Sequence, residues 1–137
     1  MAQGDTGLSA TPHIALVGCG YWGKNLCRNF HALGALYAVV DATENGQLTA
    51  SSIAPDAQIT DSIEDVLMDD QIHGIALATP AETHADLAIQ AMQSGKDVFV
   101  EKPLALTLED AEKMKKVAEE TGRILMVGHL LEYHSGV

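Results

Sequence analysis

The sequence predicts an α/β fold in three layers, with a doubly wound, mostly parallel sheet between two layers of helices. Two observations predict it. Short apolar runs alternate with helical patterns along the chain, and the stronger runs are nearly continuous in apolar residues. Such runs are typical of strands buried on both faces, as in parallel sheets. Right-handed crossovers between these strands would place helices on both faces of the sheet.

Six segments of the chain are predicted to be strands. The five strong apolar runs cover residues 13–18, 36–40, 74–79, 97–101 and 124–128, and a weaker run covers 57–60. A helix is expected between consecutive strands, and a short one should follow Asp61 or Ser62. The helix between the second and third strands is the least marked, so the predicted order is β-α-β-(α)-β-α-β-α-β-α-β.

Three of the predicted helices show an apolar stripe at spacings of three and four residues. The stripes consist of Leu26, Phe30 and Leu33; of His84, Leu87, Ala88 and Ala91; and of Leu108, Ala111, Met114 and Ala118. Gly34, Gly95 and Gly122 follow them, where a left-handed cap is expected. Thr107 is the expected N-cap of the last helix, with Asp110 approximating a capping box.

Length and composition limit the classes of function. The chain has 137 residues, which fits one domain, and its formal net charge of −11 argues against binding to nucleic acids or anionic membranes. Residues 1–11 lack the features of a signal peptide and are expected to be a disordered tail. No stretch approaches the roughly 20 apolar residues of a membrane span. We therefore expect one domain over residues 12–128.

The chain has two cysteines, Cys19 and Cys27. Neither belongs to a CxxC pair or to a Cys/His cluster with zinc spacing, so the sequence predicts no metal site. Free thiols in a reducing cytoplasm are the simplest interpretation.

The segment GCGYWG places Gly18, Gly20 and Gly23 in the spacing G-x-G-x-x-G, after a predicted strand and at the start of a predicted helix. In a dinucleotide-binding Rossmann fold the first glycine permits a tight turn, the second lets a pyrophosphate approach the backbone, and the third lets helix and strand pack closely. The phosphates would lie over the helix N-terminus. Tyr21 and Trp22, within the loop, are counted with the expected cofactor-binding residues.

Two alternatives remain open for this loop. One is a plain strand-to-helix turn without a ligand. The other is the glycine loop of a methyltransferase, which also follows a first strand. That loop usually has the spacing G-x-G-x-G, which the Trp22–Gly23 pair interrupts.

Asp41 ends the second predicted strand, 18 positions after Gly23. An acidic residue there can accept hydrogen bonds from both hydroxyls of an adenosine ribose, and it would repel a 2′-phosphate. No Lys or Arg occurs between Arg28 and Lys96, whereas an NADP site normally needs a cation near that phosphate. The sequence therefore predicts NAD in preference to NADP, although a strand-end Asp without a special role remains possible.

The segment ATPAETHADLAIQAMQSGKDVFVEKPLALT resembles the long central signature of the Gfo/Idh/MocA family of NAD(P)-dependent oxidoreductases. The residues in register with it are Thr79, Pro80, His84, Gly95, Lys96 and the run Glu101, Lys102 and Pro103. The segment VGHLLEYH resembles the next element of the family, a Gly-His pair after the sixth strand. The resemblance covers about residues 13–134 and implies NAD-dependent hydride transfer.

The resemblance implies roles for the residues after the fifth strand. Lys102 matches the catalytic lysine, whose ammonium can hydrogen-bond the substrate oxygen and stabilise alkoxide character as hydride leaves. An exposed surface lysine is the alternative. Glu101 and Pro103 would shape the strand end that aims Lys102, and Glu101 and Lys102 are both expected at the cofactor. His129 and Tyr133 match positions near the substrate.

Thr79 and Pro80 match the family's turn beside the nicotinamide half of the cofactor. From its position alone Thr79 could cap a helix, with Pro80 at the first helical position and Glu82 completing a capping box. His84 matches a recurrent family histidine and is counted with the cofactor-binding residues. Packing of its helix is an equal alternative.

The segments GYWGKN and GHLLEYH favour the branch of the family that oxidises the 3-hydroxyl of nucleotide sugars. Members normally continue into a second α/β domain, which supplies much of the substrate pocket and the usual oligomer interface. Residues 129–137 would begin the connection to it. The resemblance implies a small-molecule substrate such as a UDP-N-acetylhexosamine, a homo-oligomeric full-length form, and a 137-residue chain that binds NAD but is inactive alone. The alternatives are a non-catalytic NAD-binding sensor or partner module, and a bare scaffold that binds nothing tightly.

Overall fold

The computed structural model describes residues 12–20, 23–101 and 104–128. Within these ranges six strands form one parallel sheet. They are β1 (Ile14–Val17), β2 (Leu36–Val40), β3 (Gln58–Thr60), β4 (Gly74–Leu77), β5 (Asp97–Glu101) and β6 (Leu125–Gly128). Their spatial order is β3-β2-β1-β4-β5-β6, so the order reverses between β1 and β4. The predicted doubly wound sheet, including the weak third strand, is confirmed.

Five α-helices connect the strands in the part of the chain that the structure describes. They are α1 (Gly23–Ala32), α2 (Glu44–Ile53), α3 (Ile63–Leu67), α4 (His84–Gln93) and α5 (Leu108–Thr121), and a 3₁₀ turn (Ala81–Thr83) precedes α4. The least marked helix, α2, is a full ten residues long and begins at the N-cap Thr43. Only Gly46 and Ala50 of this helix are buried. The helix therefore needs few apolar residues, which agrees with its weak apolar pattern in the sequence.

The sheet separates two apolar clusters. Alternate residues of β1 point to opposite faces, since Ala15 and Val17 belong to one cluster and Leu16 to the other. Helices α3, α4 and α5 cover the first face, with Met114 fully buried, and α1 and α2 cover the second, with Leu26 fully buried. Burial of each such side chain is worth about 1.5–3 kcal/mol. This arrangement gives the three predicted layers.

The predicted helix ends are largely confirmed. Gly34, Gly95 and Gly122 all have positive φ, and the Thr107 hydroxyl accepts a hydrogen bond from the backbone N–H of Asp110. Two stripe positions are wrong, because Leu33 and Leu108 are 70% and 75% exposed. Leu33 lies in the turn after α1, and Leu108 is the first residue of α5, so neither lies on the buried part of its helix. No helix among the described residues is long and apolar enough to span a bilayer.

Candidate functional site

A cleft of about 450 Å³ lies at the carboxyl ends of β1, β2 and β4. It is lined by Val17, Gly18, Gly20, Val40, Asp41, Ala42, Thr43, Asp61, Ile63, Ala78, Thr79 and Pro80. Strand order reverses between β1 and β4. In open α/β sheets this reversal point is where ligands bind. The cleft therefore brings together the glycine loop, Asp41 and the turn after β4, as the sequence predicts.

Gly18 makes the turn out of β1. Its φ is +96°, in the left-handed region that favours glycine. Its N–H donates to the carbonyl oxygen of Val40 at 2.7 Å. A Cβ atom here would lie 3.1 Å from the carbonyl oxygen of Ala78. The first glycine thus allows both the turn and the close approach of β1 to the chain after β4.

The other two glycines of the loop meet opposite surroundings. A Cβ atom at Gly20 would meet no heavy atom of the described residues within 4 Å, and Gly20 lines the cleft. A Cβ atom at Gly23 would collide with the carbonyl oxygen of Gly18. Space over Gly20 is therefore available to a ligand, whereas Gly23 is required by the packing of the loop against the start of α1.

Asp41 connects the glycine loop to the start of α2. Its Oδ2 accepts a hydrogen bond of 2.7 Å from the backbone N–H of Cys19. Its Oδ1 accepts from the backbone N–H of Thr43 at 2.8 Å and from the Thr43 hydroxyl at 2.7 Å. An ionised carboxylate offers about four acceptor sites, so Oδ2 retains capacity for a further donor from the cleft, such as a ribose hydroxyl.

The same contacts determine the charge of Asp41. Partial burial raises the pKa of this carboxyl, but the hydrogen bonds from the Thr43 hydroxyl and from the N–H groups of Cys19 and Thr43 outweigh it. The net effect is a pKa below the ordinary value. Asp41 is therefore an anion at neutral pH, as the discrimination against a 2′-phosphate requires.

A second, smaller pocket of about 310 Å³ adjoins the loop. It is lined by Cys19, Gly20, Lys24, Thr43, Asn45, Gly46 and Thr49. Lys24 lies outside the stretch between Arg28 and Lys96 that contains no Lys or Arg, so the sequence prediction did not include it at the site. The first turn of α1 brings this lysine into the same pocket as Thr43 and Gly46. The signal that could have found it is its place directly after the last glycine of the motif.

The turn after β4 is held by side chains. The hydroxyls of Thr79 and Thr83 lie 2.7 Å apart, and the Thr83 hydroxyl donates to the carbonyl oxygen of Pro80 at 2.6 Å. Pro80 itself is the N-cap of the 3₁₀ turn, without a side-chain cap. The capping box that Thr79, Pro80 and Glu82 could have formed is therefore wrong, because the N-cap position is Pro80 and not Thr79. Thr79 and Pro80 nevertheless line the cleft.

His84 lies in the interior at the start of α4 and is 2% exposed. Its Nε2 lies 2.9 Å from the carbonyl oxygen of Thr79, and its Nδ1 lies 3.2 Å from the carbonyl oxygen of Leu104. In either tautomer a ring N–H donates to one of these carbonyls. These two contacts link the turn after β4 to the segment after β5, as the packing role requires, and a role of His84 at the cofactor stays a prediction.

Several of the expected site residues lie outside the described residues. They are Tyr21, Trp22, Lys102, Pro103, His129 and Tyr133. Their roles stay predictions, as do the domain limits at residues 11 and 129. Glu101 is described: it ends β5, is half-buried, and pairs in register with Gly128 of β6. Glu101, the residue before Lys102 in the sequence, therefore lies at the carboxyl edge of the sheet.

The two cysteines form a contact that the sequence did not predict. Cys19 and Cys27 are buried free thiols. The hydrogen bond between their side chains, together with burial, raises the pKa of the Cys19 thiol. The Cys19 side chain is therefore a neutral, buried thiol at neutral pH. The contribution of Cys19 to the site is its backbone N–H, which donates to Oδ2 of Asp41.

Comparison with known proteins agrees with this geometry. The Gfo/Idh/MocA model, described as an oxidoreductase family with an NAD-binding Rossmann fold, matches residues 13–129. The 2,7-anhydro-N-acetylneuraminate hydratase of Mediterraneibacter gnavus is 33% identical over 128 residues, which cover 93% of this chain and 34% of the hydratase. The NAD(+)-dependent scyllo-inositol 2-dehydrogenase of Bacillus subtilis is 41% identical over 69 residues, 50% of this chain and 20% of that enzyme.

A solved structure extends the comparison to bound ligands. The WlbA dehydrogenase of Bordetella pertussis, crystallised with NADH and UDP-GlcNAcA, superposes with a TM-score of 0.79 at 31% identity. The match covers 85% of this chain and 36% of that one. The chain thus spans about a third of the length of the Mediterraneibacter gnavus hydratase and of the WlbA dehydrogenase.

Proposed function

This chain belongs to the Gfo/Idh/MocA family of oxidoreductases and forms its NAD-binding Rossmann domain, and we propose that it is the cofactor-binding part of an NAD-dependent dehydrogenase that acts on sugars. The proposed reaction moves a hydride between a sugar hydroxyl carbon, C3 of a nucleotide sugar such as a UDP-N-acetylhexosamine, and nicotinamide. In the oxidative direction the hydroxyl proton is released to water, and the products are the keto sugar, NADH and H⁺. The observation that carries the cofactor part is the open space over Gly20 beside the anionic Asp41, at the reversal point of the sheet.

The described residues fit NAD at this cleft. The backbone at Gly20 and the N-terminus of α1 would hold the pyrophosphate. Oδ2 of Asp41 would accept a hydrogen bond from the adenosine ribose, and Thr79 and Pro80 line the cleft where it meets β4. When bound, the nicotinamide supplies a hydride acceptor.

Lys102 is the proposed catalytic residue. It follows Glu101 at the carboxyl edge of the sheet, and its ammonium would donate a hydrogen bond to the substrate oxygen as alkoxide character develops. His129 and Tyr133 are proposed to contact the same substrate. His84 would act through position, because it ties Thr79 to Leu104, two residues beyond Lys102.

The substrate class rests on analogy. The WlbA structure contains UDP-GlcNAcA, and the loop segments GYWGKN and GHLLEYH favour the same class. Two relatives are named for other substrates, 2,7-anhydro-N-acetylneuraminate and scyllo-inositol. A sialic-acid derivative and a free polyol are therefore the competing substrates. The two free thiols, Cys19 and Cys27, favour a reducing compartment such as the cytoplasm for this chemistry.

A panel of candidate substrates tests the reaction. UDP-N-acetylhexosamines, their uronic acids, scyllo-inositol and 2,7-anhydro-N-acetylneuraminate are each supplied with NAD⁺, and NADH is followed by absorbance. Hydration of the anhydro sugar would leave no net NADH, so its conversion is followed by mass spectrometry. The assay uses this chain and any longer form of the protein. We expect this chain alone to bind NAD⁺ without turnover, because reactant positioning is worth about 7–11 kcal/mol and one lysine cannot supply it. Turnover by the short chain would show that the active site is misplaced.

In a longer form of the protein that turns over substrate, the variant Lys102→Ala separates the effect on catalysis from the effect on NAD⁺ binding. The expected result is a large loss in kcat with little change in NAD⁺ affinity. A non-catalytic NAD-binding module is the second candidate, favoured by the complete cleft within this short chain. A non-catalytic module would bind NAD⁺ tightly and would produce no NADH from any substrate, in this chain or in a longer form. Its NAD⁺ affinity would not change with Lys102→Ala.

A further inference from the structure

The seat of the Asp41 carboxylate depends on a glycine outside the G-x-G-x-x-G motif. Gly46 is buried in the first half of α2. A Cβ atom placed on it would collide with all three atoms of the Asp41 carboxylate group. The missing side chain at position 46 therefore provides the space that this carboxylate occupies.

Gly46 also belongs to the hydrogen-bond chain around Asp41. Its N–H donates to the Thr43 hydroxyl oxygen at 3.0 Å, and that hydroxyl donates to Oδ1 of Asp41 at 2.7 Å. On the other side, Oδ2 accepts from the N–H of Cys19. The carboxylate thus lies among Gly46, Thr43 and the glycine loop, and Asp41 also lines the cleft.

Helix propensity does not explain a glycine at this position. Glycine inside a helix is unfavourable relative to alanine, and Gly46 has no positive φ that would require it. Its presence is accounted for by the carboxylate that fills the space above it.

We propose that Gly46 is a specificity-determining position for the dinucleotide: it keeps the Asp41 carboxylate against the loop, where it accepts a ribose hydroxyl and repels a 2′-phosphate. The inference rests on the NAD-binding part of the proposed function and is independent of the sugar substrate. A side chain at position 46 would push the carboxylate away from Cys19 and Thr43. Lys24 lines the adjoining pocket with Gly46, so the displaced anion would leave a cation near the 2′ position.

Gly46→Ala tests the proposal by calorimetry with NAD⁺ and NADP⁺. NAD⁺ affinity should fall by about tenfold to a hundredfold, the range for one hydrogen bond to a charged group, while NADP⁺ affinity stays level or rises. The ratio of the two dissociation constants is the readout, because general destabilisation would weaken both cofactors together. Ser51→Ala, at an exposed site on the same helix, is the matched control and should leave the ratio unchanged.

Two further variants make the result decisive. Thr43→Val removes the hydroxyl between Gly46 and Asp41, and it should shift the ratio in the same direction by a smaller factor, even if Gly46→Ala fails to fold. In an Asp41→Asn background, Gly46→Ala should no longer change the ratio. An unchanged ratio in both Gly46→Ala and Thr43→Val, or an equal shift with and without the Asp41 charge, would overturn the proposal. Failure of the unaltered chain to bind NAD⁺ would instead refute the proposed function.

Discussion

Two neighbouring corners of the sheet use a missing Cβ for opposite purposes. In the β1–α1 corner, formed by Gly18, Cys19, Gly20 and Gly23, none of the described residues fills the space over Gly20. In the β2–α2 corner, residues 41–46, the space over Gly46 is filled by the Asp41 carboxylate. One corner is shaped for a ligand from outside and the other for an anion of the protein itself. A glycine after a strand therefore does not say what will occupy its space.

A hydrogen bond joins the two corners. The N–H of Cys19, in the first corner, donates to Oδ2 of Asp41, in the second. The open space and the fixed anion thus lie at a defined separation, as a dinucleotide with its pyrophosphate and ribose requires. Substitutions at each corner can test whether the division of roles is real.

Gly20→Val should have the largest effect. The side chain would occupy the path of the pyrophosphate, so measurable NAD⁺ binding should be lost. The fold should survive because a Cβ atom there meets no described heavy atom within 4 Å. Calorimetry measures the binding, and circular dichroism checks the fold. A folded Gly20→Val variant that binds NAD⁺ normally would show that this corner is only a turn.

Gly23→Ala should damage the fold instead of the ligand site. Its Cβ atom would collide with the Gly18 carbonyl oxygen, and overpacking of this kind costs about 1–3 kcal/mol. The loss should appear in the free energy of unfolding by urea although alanine is the better helix former. Gly20→Ala adds the same methyl group three positions earlier and is the matched control. Equal stabilities of the two variants would contradict the division within the motif.

Asp41→Ala should weaken NAD⁺ binding and narrow its advantage over NADP⁺. The change removes one acceptor for a ribose hydroxyl and the charge that repels a 2′-phosphate, while Lys24 remains in the adjoining pocket. A loss of about tenfold to a hundredfold for NAD⁺ is expected from one charge-assisted hydrogen bond. Titration with both oxidised cofactors measures it. Tighter binding of NADP⁺ by the unaltered chain would contradict the assigned preference.

The smallest effect concerns acid stability. Asp41 has a lowered pKa in the folded protein, so its contribution is present above the ordinary carboxyl pKa, near 3.9, and is lost as pH falls through the lower folded value. Urea unfolding of the unaltered chain and Asp41→Asn from about pH 6 to about pH 3 should show a stability difference that shrinks in the acid range. A difference that stays constant would show that the hydrogen bonds to Asp41 do not depend on its charge.

Local patterns in the sequence determined much of this protein. The continuous apolar runs predict the six strands, because strands buried on both faces need no polar alternation. The glycine spacing and Asp41 predict the cofactor, and Thr107 predicts a helix start, since each signal lies within a few residues of the structure it specifies. The motifs after the fourth and fifth strands also identify the family that the comparison with residues 13–129 confirms.

Only the tertiary structure decided what faces each glycine and each charged group. Cys19 and Asp41 are 22 residues apart, and His84 contacts the carbonyl of Leu104, 20 residues away; parallel strands must pair before either contact exists. The approach of Lys24 to the pocket that Thr43 and Gly46 line likewise follows from how α1 and α2 pack on the sheet. Periodicity and spacing report the neighbours of a residue along the chain, whereas these contacts depend on neighbours in space.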